Sequence, residues 1–318
     1  MKSRFTNSGL TVALLAIIGL AVSGCSMNFN MVDGYMFTNT GESAKSTELG
    51  EISEGITAID VVNKFGNVKI ELADGEPGWR WESKVWADTR ELADLLIDEL
   101  VLDVQTSGQT QTWRILLPEP SPDINGIESN LTLLLPAEIS AKLYNSHGDI
   151  SVANIYGAVE LKNLHGNVTL SELTGNVDAK NSHGDLTASL FGESAIEVSH
   201  GDIVATQHSG SIKTKNRHGS TQLNSSGEYV TIDSSHGKVE LSILSDNFRL
   251  IDIGSSHGSV NVALPADSHP QIDMKASHGH TSSEVESKKT STQKIKLRSN
   301  HGNIRVTKIA QAEAVLSP

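Results

Sequence analysis

From Leu143 to Val306, apolar and polar residues alternate in short bursts, and a glycine opens most of them. Gly148-Asp149-Ile150-Ser151-Val152 is one burst. Gly157-Ala158-Val159-Glu160-Leu161 and Gly166-Asn167-Val168-Thr169-Leu170 are the next two. Period-two alternation over about five residues predicts a half-buried strand. The Asn-, Ser- and Gly-rich residues between bursts predict corners. The unit is nine residues long, and two units make a larger period marked by the pair His-Gly. That pair occurs at His147, His165, His183, His200, His218, His236, His257, His278 and His301, with spacings of 18, 18, 17, 18, 18, 21, 21 and 23 residues. A fixed period near 20 residues is the signature of stacked repeats.

The expected fold is all-β, a right-handed parallel β-solenoid of about 18–23 residues per coil. One imidazole then recurs at one geometric position in every coil. The longer coils near the C-terminus have room for a third side. A left-handed hexapeptide helix needs a six-residue apolar period, which this chain lacks. The calcium-binding nonapeptide roll needs Gly-Gly-x-Gly-x-Asp, which is absent here. An antiparallel meander is the competing architecture, and near-identical corners at every turn count against it.

Before Leu143 the pattern is looser. Ile56 to Val61 alternates, and Phe65-Gly66-Asn67-Val68-Lys69-Ile70 is a copy of the repeat with Phe in the histidine position. Trp79 to Trp86 alternates with Trp79, Trp81 and Val85 on one parity. Asp88-Thr89-Arg90-Glu91 has the form of a capping box, and Leu92, Leu95, Leu96 and Leu100 follow at helical spacing. One short helix is expected over 89–99. Strands are expected at Val101 to Val104, Trp113 to Leu117 and Leu131 to Leu135, with a proline-marked loop at Pro118, Pro120 and Pro122.

The N-terminus carries an address. Lys2 and Arg4 precede an apolar stretch from Leu10 to Val22, too short for a comfortable membrane span and right for a secretory signal. It ends Val22-Ser23-Gly24-Cys25, which resembles the lipobox of bacterial lipoproteins. The resemblance implies cleavage before Cys25, lipidation of Cys25 and a membrane anchor. Ser26 in the next position favours the outer membrane by the same resemblance. The expected organisation is a signal peptide (1–24), a lipidated tether (25–55), one solenoid domain (56–307, irregular over 56–142 and regular over 143–307) and a tail (308–318). Cys25 is the single cysteine, so no intramolecular disulfide can form.

Loss of residues 1–24 removes Lys2 and Arg4, and the formal charge moves from −13 to −15. That balance argues against nucleic acid as a partner. Aromatic residues make up 4% of the chain, a content suited to small, regular layers.

The motifs Asn145-Ser146-His147-Gly148-Asp149-Ile150, Asn181-Ser182-His183-Gly184-Asp185-Leu186 and Ser199-His200-Gly201-Asp202-Ile203 resemble a family of adhesin-like bacterial envelope proteins whose recurring element is Ser-Gly-Asp-Val. Leu133 to Pro136 also resembles that family. The resemblance covers about 56–307. It implies a β-solenoid, an exported or surface-attached location and no catalytic residues. The inserted histidine departs from the family pattern.

Three readings of the histidines stay open. They form a stacked corner ladder with a purely structural role. Alternatively, they capture Zn, Cu or Ni, since neutral imidazole is a common ligand for these ions, with Asp149, Asp185 and Asp202 as ligands or supports and His208, His269 and His280 adding density. Or they make a pH-responsive surface, since stacked imidazoles repel one another when charged. A polysaccharide-active β-helix enzyme is disfavoured, because no acid pair stands out from the repeat. The expectation is therefore a non-catalytic, lipid-anchored envelope scaffold or adhesin-like module. Its partner, a protein or glycan of the envelope, is unknown.

Overall fold

The computed structural model describes residues 30–32 and 35–309. The segment expected to be a signal peptide, Cys25 and the residues from 310 onward lie outside the described residues. Two long sheets of twelve and thirteen strands make up nearly all of the domain, and each regular coil gives one strand to each sheet. Throughout the His-Gly region every strand pair is parallel. This is a β-solenoid with two sides.

Alternation dictates the core. In one coil Ala141, Leu143, Ile150 and Val152 are buried, and equivalent residues lie in register through the stack. Leu143 pairs with Leu161, Leu161 with Ala179, and Ala179 with Ile196. Each fully buried Val, Leu or Ile contributes about 1.5–3 kcal/mol. The core is therefore a set of aliphatic columns with no single large centre.

The third side for which the longer coils have room does not form. The extra residues of the long coils fall in loops at 244–249, 265–270 and 284–293, and the first of these tucks Phe248 into the core. The end of the solenoid also departs from chain order. The strand Lys294–His301 pairs with Leu250–His257 on one side and with Gln271–His278 on the other. The last segment of the chain is thus inserted beneath the segment that precedes it. Hydrophobicity explains the choice. Ile295, Leu297, Ile304 and Val306 are fully buried, whereas Ile272, Met274 and Ala276 are half-buried and Thr281–Ser283 is exposed. The more apolar segment takes the inner place, and the weaker one becomes the open end.

At the other end the repeat is interrupted. Ala58–Phe65 and Val68–Leu72 form a true coil, parallel to Ser140–His147 and Ile150–Ala153. Between them the chain inserts antiparallel strands, with Gly78–Ala87 lying between Glu42–Glu51 and Ile124–Leu135. Residues 42–51, expected within the tether, are therefore an edge strand of the sheet. The helix spans Arg90–Glu99. Its N-cap is Thr89, whose hydroxyl accepts from the Leu92 N–H, which corrects the expected Asp88–Glu91 capping box. Asp88 instead accepts from the Asn125 amide at 2.8 Å. The helix buries Ala93 and Leu96, and Leu95 stays exposed.

Candidate functional site

The His-Gly corners at His147, His165 and His183 share one plan, in which neighbouring residues have separate tasks. The asparagine two places before histidine is buried. Asn145 Nδ2 donates to the Gly66 and Gly148 carbonyls at 3.0 and 3.1 Å, and Asn181 repeats this on Gly166 and Gly184 at 2.9 Å each. One side chain thus ties its own corner to the corner below. The glycine turns the chain: Gly166 has φ +123°, and a Cβ there would overlap the Gly148 carbonyl. The residue after glycine caps the next coil. Asp149 Oδ1 accepts from the Asn167 N–H at 2.7 Å, Asn167 Oδ1 from Asp185 at 2.9 Å, and Asp185 Oδ1 from Asp202 at 2.8 Å.

Histidine ends the strand that enters the corner, and eight of the nine imidazoles are exposed, with His147 half-buried. They stack in one row, with ring centroids 4.6–4.9 Å apart and planes within 16° of parallel. The order in space is His147, His165, His183, His200, His218, His236, His257, His301, His278, with the last two exchanged by the inserted strand. Eight steps at strand spacing make a ladder of about 38 Å. At its foot Phe65 lies 5.6 Å from His147 and meets Tyr35 and Phe37 edge-on. Ring Nδ1 atoms lie 3.3 Å from carbonyls of the coil below at His183 (Leu164) and His236 (Arg217). Burial, with a smaller contribution from His183, lowers the pKa of His165 below the ordinary histidine value.

This geometry bears on metal binding. Among the described residues no group of three or more His, Cys, Asp or Glu side chains is placed to hold a metal ion. Two imidazoles sharing one ion need metal–nitrogen distances near 2.0–2.1 Å, hence nitrogens within about 4.2 Å on converging rings. Parallel rings 4.6–4.9 Å apart aim their lone pairs side by side, so a shared ion requires rings to leave the stack. Asp149, Asp185 and Asp202, expected as ligands, each give one oxygen to a backbone N–H.

The three additional histidines do not extend the row. His269 is exposed in a loop, and His280 lies two residues beyond His278. His208 is fully buried in the opposite corner, at an inward position that Leu173 and Leu190 occupy in neighbouring coils. Its Nε2 lies 3.3 Å from the hydroxyl of Ser194, itself buried between Val177 and Ile212. Burial pushes the His208 pKa down to about 4. Sequence reading missed this pairing because the two residues break the apolar pattern in separate strands. It also missed the buried asparagines Asn145, Asn163, Asn181 and Asn216, whose signal was their recurrence two residues before four of the nine histidines.

The Toastrack DUF4097 family model matches residues 56–307. No curated protein matches the chain. Three solved structures are similar in outline. A candidate adhesin from Parabacteroides merdae is 10% identical, with 85% of this chain and 98% of that one covered, at a TM-score of 0.36. A candidate adhesin from Bacteroides fragilis is 11% identical over 84% and 97%, at 0.30. A candidate lipid-binding protein from Parabacteroides distasonis is 15% identical over 84% and 97%, at 0.34.

Proposed function

This chain belongs to the Toastrack DUF4097 family, and we propose that it is a non-catalytic, lipid-anchored scaffold of the bacterial envelope that binds its partner along the histidine edge. One observation carries the reading: a stacked row, exposed at every position but the half-buried His147, presents the same side chain nine times at strand spacing. Such a row suits a repeating partner, a protein or a glycan of the envelope, because linked weak contacts gain effective concentration. A reaction centre needs a few dissimilar groups converging on one point, and the edge offers equivalent groups in a line. The lipobox at Val22 to Cys25 supports export and anchoring, with the outer membrane as the proposed location.

A second reading uses the same edge. Protonation places like charges on neighbouring rings less than 5 Å apart, and at His165 the neighbouring His183 adds to burial in lowering the pKa. An acid-responsive contact surface follows.

The test is binding of the purified mature chain to arrays of glycans and envelope proteins. A variant carrying asparagine at His165, His200, His236 and His301 is run beside it. Expected is a ligand retained by the native edge and lost, or weakened more than tenfold, in a variant that melts normally. Equal binding by both proteins would move the function off the edge.

A further inference from the structure

The row of residues that follows each His-Gly pair is a continuous cap for backbone N–H groups, and it stops partway along the solenoid. Up to Asp202 each side chain is Asp or Asn and accepts from the N–H of the next coil; the last of these bonds is Asp202 Oδ1 with the Ser220 N–H at 2.7 Å. The next residues in the row are Ser220, Lys238 and Ser259, none of which supplies a carboxylate or amide oxygen. Among the described residues no acceptor is bonded to the N–H of Lys238, Ser259 or Asn303. Capping resumes at the end of the row, where Asn303 Oδ1 accepts from the His280 N–H at 2.9 Å.

The gap coincides with a groove of 440 Å³ lined by Lys238, Ser259, His280, Ser282, Asn303 and Arg305. Backbone donors, hydroxyls and two cationic side chains therefore converge where the acidic cap is missing. Lys238 and Arg305 also hold Glu240 and Glu284. These are pairs between exposed side chains, which are weakly held and can be exchanged.

We propose that this gap is a binding site for a phosphate-type oxyanion, whose oxygen takes the position that the Asp or Asn Oδ1 takes in the coils below. Backbone N–H groups bind anion oxygens where they are left without a partner; here the donors come from successive coils one strand spacing apart, and the cationic side chains supply opposite charge. Free orthophosphate and the phosphate of a sugar ester share the required chemistry.

Calorimetry and ³¹P line broadening on the purified mature chain, with orthophosphate in one arm and glucose 1-phosphate in the other, decide the matter. Binding in either arm supports the site, and the stronger arm identifies the source. Ser259→Asn supplies the missing acceptor to the Asn303 N–H without changing charge. It should weaken binding at least tenfold while the melting temperature holds or rises. Arg305→Gln should weaken binding and flatten its salt dependence. No binding in either arm overturns the proposal. So does binding that survives both substitutions unchanged, because it would then lie elsewhere.

Discussion

His183 and His200 stack with centroids 4.8 Å apart and planes 2° from parallel, although their coil is one residue shorter than its neighbours. The missing residue is absorbed at the opposite corner. The coil below bulges at Glu172, which has φ +55°, and the register shifts between Leu170 and Leu173. The histidine corner is therefore held in register while the far corner takes up length. The two corners consequently differ in what they tolerate.

Glycine substitutions measure that difference. At Gly166 an alanine meets both a positive φ and the Gly148 carbonyl, whereas at Gly175 it meets the Gly157 and Tyr156 carbonyls without a positive φ. Gly166→Ala should cost about 2–4 kcal/mol and Gly175→Ala less. Equal losses in denaturant unfolding would show that close approach alone sets the requirement.

The buried pair His208 and Ser194 makes the fold acid-sensitive. His208 titrates near 6.5 when unfolded and at about 4 when folded. Above pH 6.5 the ring is neutral in both states and adds no pH dependence; as pH falls from 6.5 toward 4 the unfolded state takes the proton first, and the fold loses about 3 kcal/mol in full. His208→Leu with Ser194→Val should raise the melting temperature and flatten this dependence between pH 6.5 and 4. An unchanged pH profile would place the acid sensitivity in another group.

Histidine NMR titration tests the ladder directly. His165 should titrate below the ordinary histidine value. His183→Gln should bring it only partly back, since burial is the larger cause. Full return to the ordinary value would mean that ring–ring repulsion dominates.

For Zn, Cu and Ni, the parallel stack predicts weak loading of single rings and no rise in melting temperature. Several ions per chain bound tightly at neutral pH and released near pH 6, with a raised melting temperature, would show that the rings turn out of the stack to chelate.

Cys25→Ser should move the chain from the membrane fraction to the soluble fraction. Unchanged membrane retention would remove lipidation from the proposed function.

The solenoid was legible in the chain because a nine-residue unit of alternating residues permits few other packings, and the His-Gly spacing marked the corner where imidazoles meet. The short helix was legible too, although its cap was off by one residue: Thr89 and Asp88 are both good caps, and only the backbone path decides between them. Tertiary structure decided what local pattern leaves degenerate. Competition for burial between Ile295-Lys296-Leu297 and Ile272-Asp273-Met274 set the exchanged order of the last two coils. Pairing with Gly78–Ala87 drew residues 42–51 out of the expected tether and into the sheet. The cap row and its gap at Lys238 and Ser259 were spelled out residue by residue. Their meaning appeared only when residues 17–44 positions apart came to lie one strand spacing from each other, because a hydrogen bond between coils has no signature within either coil.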